Sequence, residues 1–248
     1  MTPDFSRLKL LVGNDGFMRL QNSKIVLFGV GGVGSWCAES LIRSGIKELT
    51  IVDFDDVAPS NINRQLPALQ STIGQPKAQV MAKRLLDINP EAQIIVKAEK
   101  FNALTSSCWD FNQYDYVIDC IDSLDCKALL LHLASQSSAK VFSSMGAGRK
   151  IDPQQISVRE LWKVRDCPLG HALRKYMRRN SLTTGQKIQC VYSPELVENK
   201  GAEGLLSQGL IEPSDRINGT MAHITAIFGF TLSGLVIQDI LNRQIKCR

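Results

Sequence analysis

The chain has no Cys-x-x-Cys pair, and its seven cysteines (37, 108, 120, 126, 167, 190 and 247) are odd in number and scattered. Neither a zinc knuckle nor a dithiol redox pair is signalled, and the pattern fits the reduced thiols of a cytoplasmic protein. Histidine is scarce. His132, His171 and His223 stand apart in helical patterns and read best as packed or surface side chains rather than acid–base catalysts. Met1 to Val12 lacks the apolar core of a signal peptide. Charge is missing too: from Ile217 to Gln238 there is no Asp, Glu, Lys or Arg, which reaches the roughly 20 residues of a membrane span. Asn218, Thr220, His223, Thr225, Thr231 and Ser233 interrupt that run. A buried or dimer-interface helix is therefore the preferred reading, with membrane association through residues 217–240 as the alternative.

What is present is ordinary for a soluble protein: 44% hydrophobic and 21% charged residues. The basic excess is local. Lys163, Arg165, Arg174, Lys175, Arg178, Arg179 and Lys187 face only Asp166, more positive charge than the +5 of the whole chain. Such a patch suits a polyanionic partner or, as readily, a solvated helix face.

The first 145 residues alternate between two periodicities. Apolar β-branched runs at Lys24–Gly29, Glu48–Asp53, Gln93–Ala98, Tyr116–Cys120 and Lys140–Ser144 predict strands. Helical patterns at Gly34–Ser44, Lys77–Ile88, weakly near Ala103–Phe111, and at Ser123–Ser137 separate them, with Ser123 as an N-cap. This predicts an α/β fold: a Rossmann-like, mostly parallel sheet with helices on both faces. Beyond Gly148 it is extended by additional strands and helices: strands over Gln155–Leu161 and Lys187–Tyr192, a helix over Pro168–Arg179, and loop-rich chain over residues 193–219.

Phe28-Gly29-Val30-Gly31-Gly32-Val33-Gly34 lies between the first strand and helix, where bare backbone lets a phosphate approach a helix N-terminus. The turn alone does not choose between a dinucleotide and ATP. Residues further along the chain favour a triphosphate: Asp53 can hold ribose hydroxyls, Arg64 and Lys77 can neutralise phosphate oxygens, and Asp122 at a strand's carboxyl end can carry Mg²⁺. Ligands in open parallel sheets bind outside those carboxyl ends, so these groups should converge. Arg and Lys clamps with a metal suit attack of a carboxylate on the α-phosphorus, where two anions must meet. A nicotinamide dehydrogenase would have no use for Asn63-Arg64-Gln65 or Lys77.

The ordered series Gly-x-Gly-Gly-x-Gly, Asp53-Phe54-Asp55, Ser60-Asn61-Ile62-Asn63-Arg64-Gln65, Lys77 and Asp122 resembles the ubiquitin-activating-enzyme superfamily of ATP-dependent adenylating enzymes. Further segments resemble its bacterial tRNA threonylcarbamoyladenosine dehydratase branch: Arg43-Ser44-Gly45, Gly146-Ala147-Gly148 with Ile151-Asp152-Pro153, Asp166-Cys167-Pro168-Leu169, Cys190-Val191-Tyr192-Ser193 and Thr225–Phe230. The resemblance implies one adenylating domain over 1–248. Residues 1–23 would form a helical arm, 24–150 the nucleotide-binding core, and 151–248 a substrate- or tRNA-facing extension. It implies that Gly29, Gly31, Gly32 and Gly34 line the phosphates of ATP, Asp53 takes the ribose, and Asn61 and Arg64 reach phosphate. Lys77 would reach the β/γ end, Asp122 the Mg²⁺, Asp55 the same region, and Ser123 would adjoin the nucleotide. Arg7 would enter a partner subunit's site, making a homodimer. The helix carrying Arg174, Lys175, Arg178 and Arg179 would contact the tRNA backbone. The rival within the superfamily activates the carboxyl terminus of a ubiquitin-like sulfur-carrier protein, which leaves a thioester role for Cys167 or Cys190 open.

Overall fold

The computed structural model describes residues 3–201, 204, 206, 208 and 218–242; Ile217 and Cys247 lie outside them. Its elements are α1 (Ser6–Gln21), β1 (Lys24–Phe28), α2 (Gly34–Arg43), β2 (Glu48–Val52), α3 (Lys77–Ile88), β3 (Gln93–Lys97) and β4 (Tyr116–Asp119). They continue with α4 (Leu124–Ala134), β5 (Lys140–Ser144), β6 (Ser157–Glu160), α5 (Pro168–Arg179), β7 (Gln189–Tyr192) and α6 (Ala222–Asn242). One seven-stranded sheet runs β3-β2-β1-β4-β5-β7-β6. All neighbours pair in parallel except β6, which returns antiparallel beside β7. The later strands thus extend the sheet of the first half.

Strands buried on both sides read as continuous apolar runs, and β1 shows why. Ile25 and Leu27 join the core under α1, α2, α3 and α6. Val26 and Phe28 join the core under α4 and α5. On that second side Phe28, Phe101, Trp109 and Phe111 cluster, with ring centroids 4.8–6.5 Å apart. Residues 103–111, expected to be weakly helical, instead make two short 3₁₀ turns, Ser106–Cys108 and Phe111–Gln113, that lay Phe111 into this cluster. Local bonds favour the turns: Asn102 and Asp110 accept backbone N–H groups two residues on.

The uncharged run becomes α6. Ile224, Phe228, Leu232, Val236 and Ile240 recur every four residues and are all buried, each contributing about 1.5–3 kcal/mol. α6 packs on α2, α1 and β5, so closely that a Cβ on Gly229 would meet the Val33 carbonyl oxygen at 2.5 Å. At its far end Asp239 accepts from the Tyr116 hydroxyl at 2.8 Å and pairs with Lys140. The helix is long and apolar enough to cross a membrane, and half of its most apolar stretch is buried in this fold.

Candidate active site

The carboxyl ends of β1, β2 and β4 open into a cleft of about 650 Å³. Gly29, Gly31, Gly32, Asp53, Asp55, Arg64, Lys77, Asp122 and Ser123 line it together. The cleft therefore gathers stretches far apart in sequence.

The glycine turn has three distinct geometries. Gly29 sits at φ +87°, and a Cβ there would meet the Cys120 carbonyl oxygen at 2.9 Å. Gly31 and Gly32 face the cleft. Gly34 does not: it is buried, and a Cβ would stand 1.8 Å from the Gly29 carbonyl oxygen. Its place is in the contact of α2 with the turn rather than on the cleft wall. No side chain caps α2, so an anion could meet the helix N-terminus directly.

Asp53 follows β2. Its Oδ2 accepts from the Val30 N–H at 2.7 Å and its Oδ1 from the Asp55 N–H at 2.9 Å. Burial raises its pKa above the ordinary carboxylate value, against those two hydrogen bonds. Lys77 opens α3, where the helix dipole disfavours a cation. Asp55 compensates, accepting from Lys77 Nζ at 2.8 Å. Arg64 is half-buried, and its Nη1 donates to the Ser60 carbonyl oxygen at 2.8 Å and to Asn63 Oδ1 at 2.9 Å. Burial lowers its pKa and nearby Asp122 raises it. Trp36 and Thr225 donate to the Arg64 carbonyl oxygen, linking α2 and α6 to this residue.

Asn61, Arg7 and the basic residues of α5 do not line the cleft, and Ser123 lines it without capping its helix. Asn61 is buried, and its Oδ1 accepts from the Ala58 N–H at 3.1 Å, shaping the turn before Arg64. Ser123 occupies the N-cap position of α4, but its hydroxyl donates to Asp125 and caps no backbone N–H. Arg7 is exposed on α1, outside its own chain's cleft. On α5, Lys175, Arg178 and Arg179 are exposed, with Arg178 5.4 Å from the Trp162 ring. Arg174 is not part of that surface: it is 7% exposed and donates to the Leu161 carbonyl oxygen at 3.4 Å. Its position beside Leu173 places it on the edge of the apolar face, a detail the four-residue spacing concealed.

Neither cysteine is poised for a thioester. Cys190 is fully buried and its thiol pKa is raised, chiefly by burial. Cys167 is buried as the N-cap of α5, its sulfur accepting from the Gly170 N–H at 3.4 Å. Several cleft residues escaped the sequence reading. Gln65 lines the cleft with its Oε1 buried and unpaired. Ser144 to Gly148, Leu169, Asn218 and Thr220 form the opposite wall. The Gly146-Ala147-Gly148 tract, where the pattern changes, was the visible signal for that wall.

Fold and cleft define a Rossmann-like protein built to hold a phosphorylated nucleotide. The chain belongs to the ThiF family, whose model matches residues 5–245. It is 34% identical over 246 residues to the tRNA threonylcarbamoyladenosine dehydratase of Bacillus subtilis, spanning 98% of this chain and 96% of that protein. Identity to the Haemophilus influenzae dehydratase is 36% over 246 residues, spanning 97% and 94%. The crystal structure of the Escherichia coli dehydratase in complex with ATP superposes with a TM-score of 0.84 at 32% identity, covering 96% of this chain and 93% of that one. An adenylyltransferase and sulfurtransferase from Vanderwaltozyma polyspora matches over 139 residues, 55% of this chain and 31% of its own length.

Proposed function

We propose that the chain is a cytoplasmic, homodimeric tRNA threonylcarbamoyladenosine dehydratase that uses ATP to cyclise the modified adenosine. The observation that carries this reading is the convergence of Gly31, Gly32, Asp53, Arg64, Lys77 and Asp122 on one cleft, in a chain matching such dehydratases over nearly its whole length. The match to an adenylyltransferase and sulfurtransferase spans only 55% of this chain.

The donor set fits ATP with Mg²⁺. Among the described residues no group of three or more His, Cys, Asp or Glu side chains could cage a metal. A site of one carboxylate completed by phosphate oxygens and water is how Mg²⁺ usually binds beside nucleotides. Asp122 would hold the ion, and bound there it would offset charge on the phosphates. Asp53 would orient the ribose, and the backbone at Gly31 and Gly32 would admit the phosphates. Arg64 and Lys77 would screen the approach of the threonyl carboxylate to the α-phosphorus. That attack forms the acyl-adenylate and expels pyrophosphate. The carbamoyl group then attacks the activated carbonyl, closing the ring and releasing AMP. Because both ends belong to one side chain, this closure is intramolecular and little base catalysis is required. Lys175, Arg178 and Arg179 would hold the tRNA backbone without reading sequence.

Incubation with Mg²⁺-ATP and tRNA carrying threonylcarbamoyladenosine, followed by mass analysis of the digested nucleosides, tests the reading. A nucleoside lighter by one water, with AMP formed in equal amount, is expected. An unchanged nucleoside refutes it.

A further inference from the structure

Beneath the cleft floor lie two charged side chains to which the reaction assigns no part. Asp119 at the end of β4 and Lys127 in α4 are both fully buried and pair at 2.7 Å. Lys127 is the only Lys or Arg of a helix otherwise dominated by leucine and alanine. Burying an ion pair is costly, and apolar replacements of similar size often serve stability as well. The partners indicate another use.

Both charges grip one peptide residue. Asp119 Oδ1 accepts from the Ile121 N–H at 3.0 Å. Lys127 Nζ donates to the Ile121 carbonyl oxygen at 2.8 Å. Asp119 Oδ2 is itself fixed by the Ser143 hydroxyl of β5, which donates at 2.6 Å. Just before this residue, the Cys120 N–H donates to the Phe28 carbonyl oxygen at 2.8 Å, and the Cys120 carbonyl abuts Gly29. Just after it comes Asp122 at the cleft. Ile121 is thus held at both backbone polar groups by buried ions, one residue from the carboxylate beside Arg64.

We propose that Asp119 and Lys127 are positioning residues that fix the Ile121–Asp122 backbone, and so place the Asp122 carboxylate relative to Arg64 and the glycine turn. The inference rests on the proposed reading for its turnover assay and for Asp122 as the residue that would hold Mg²⁺. Groups that orient the residue holding a metal commonly alter metal affinity by about 10–100-fold when removed, and misplacement by about 1 Å lowers rate by about 100-fold.

The test uses the double variant Asp119→Asn with Lys127→Met. It leaves no unpaired buried charge, and the new carboxamide can still accept from the Ile121 N–H, but the Ile121 carbonyl loses its donor. Three readouts are taken: AMP affinity without metal, the gain in ATP affinity on adding Mg²⁺, and turnover. Unchanged AMP affinity is expected, with the Mg²⁺ gain smaller by about 10-fold and turnover lower by about 100-fold. Adding Asp122→Ala should then cost nothing further, since coupled residues are not additive. A folded double variant with wild-type Mg²⁺ gain overturns the proposal. Should that variant not fold, Ser143→Ala decides, because it loosens Asp119 while keeping the pair. Faster amide exchange at Ile121 with a reduced Mg²⁺ gain supports the proposal, and an unaltered Mg²⁺ gain overturns it. Wild-type protein that binds ATP but never turns over tRNA would sink the dehydratase reading while leaving the binding readouts to judge this one.

Discussion

Gly34→Ala isolates the contact between α2 and the cleft-lining glycine turn. The new Cβ would stand 1.8 Å from the Gly29 carbonyl oxygen. Carbon and oxygen approach to about 3.3 Å at closest, so α2 and the turn would separate by roughly 1.5 Å. Overpacking of this kind costs about 1–3 kcal/mol, or about 2–4 °C in melting temperature per kcal/mol for a chain of this size. A shift of about 1 Å at reacting groups lowers rate by about 100-fold. Gly74→Ala supplies the control. Gly74 sits at φ +82° with nothing within 4 Å of where a methyl would stand, so alanine there costs about 1–2 kcal/mol of backbone strain without crowding anything. Thermal denaturation should find both variants destabilised by comparable amounts. Calorimetric titration with ATP, and AMP release on tRNA, should find only Gly34→Ala impaired. Wild-type ATP affinity in Gly34→Ala, or equal loss of turnover in the two variants, would refute the reasoning.

Arg64→Ala or Asp122→Ala should reduce ATP-dependent turnover by about 100-fold or more, as expected for loss of a group stabilising the transition state, with the circular dichroism spectrum unchanged. Because Asp53 titrates above the ordinary carboxylate value, acidification protonates it early. The native state then gains protons relative to the unfolded chain, so this group's effect on stability becomes less adverse as pH falls. In the proposed reading nucleotide binding should move the opposite way, because ribose hydroxyls held by Asp53 would need an ionised acceptor, and Asp53→Asn should flatten that pH dependence in equilibrium titrations. Reversing Lys175, Arg178 and Arg179 should lower tRNA affinity and make the slope of log affinity on log salt shallower by about 2–3; equal slopes in filter binding would return α5 to a plain solvated face. Cys190→Ser should keep AMP-forming activity, and Cys190 should resist alkylation in the native protein; complete loss of turnover would revive a thioester mechanism.

Strands were the most legible part of the fold, because burial on both faces of the sheet demands unbroken β-branched runs. Each strand of the first half lies within a residue or so of its expected bounds, and α3 and α5 match end to end. Residues 103–111 depart from the helical expectation because apolar spacing there feeds an aromatic cluster through turns, and local Asn and Asp bonds outweigh a weak period. At the site, the glycine turn, Asp53, Lys77 and Asp122 could be placed at the cleft because each lies close to the carboxyl end of a strand or the start of a helix, and Arg64 through the Ser60–Gln65 series alone. Gly34 and Asn61 were harder. Their sequence neighbours suggest the cleft, while packing gives them to the contact of α2 with the turn and to the turn before Arg64. Lys127 and Asp119 were invisible as a pair, because only the folded sheet brings the two buried charges together.

The placement of α6 bears on how the polypeptide reaches its native state during translation. It follows every strand among the described residues, yet Phe228, Leu232 and Val236 complete the core that Ile25, Leu27 and Leu41 begin. A nascent chain would therefore carry that apolar surface bare until this helix left the ribosome. Premature termination before residue 222 should yield a species that clings to chaperones and is cleared, rather than a smaller working enzyme.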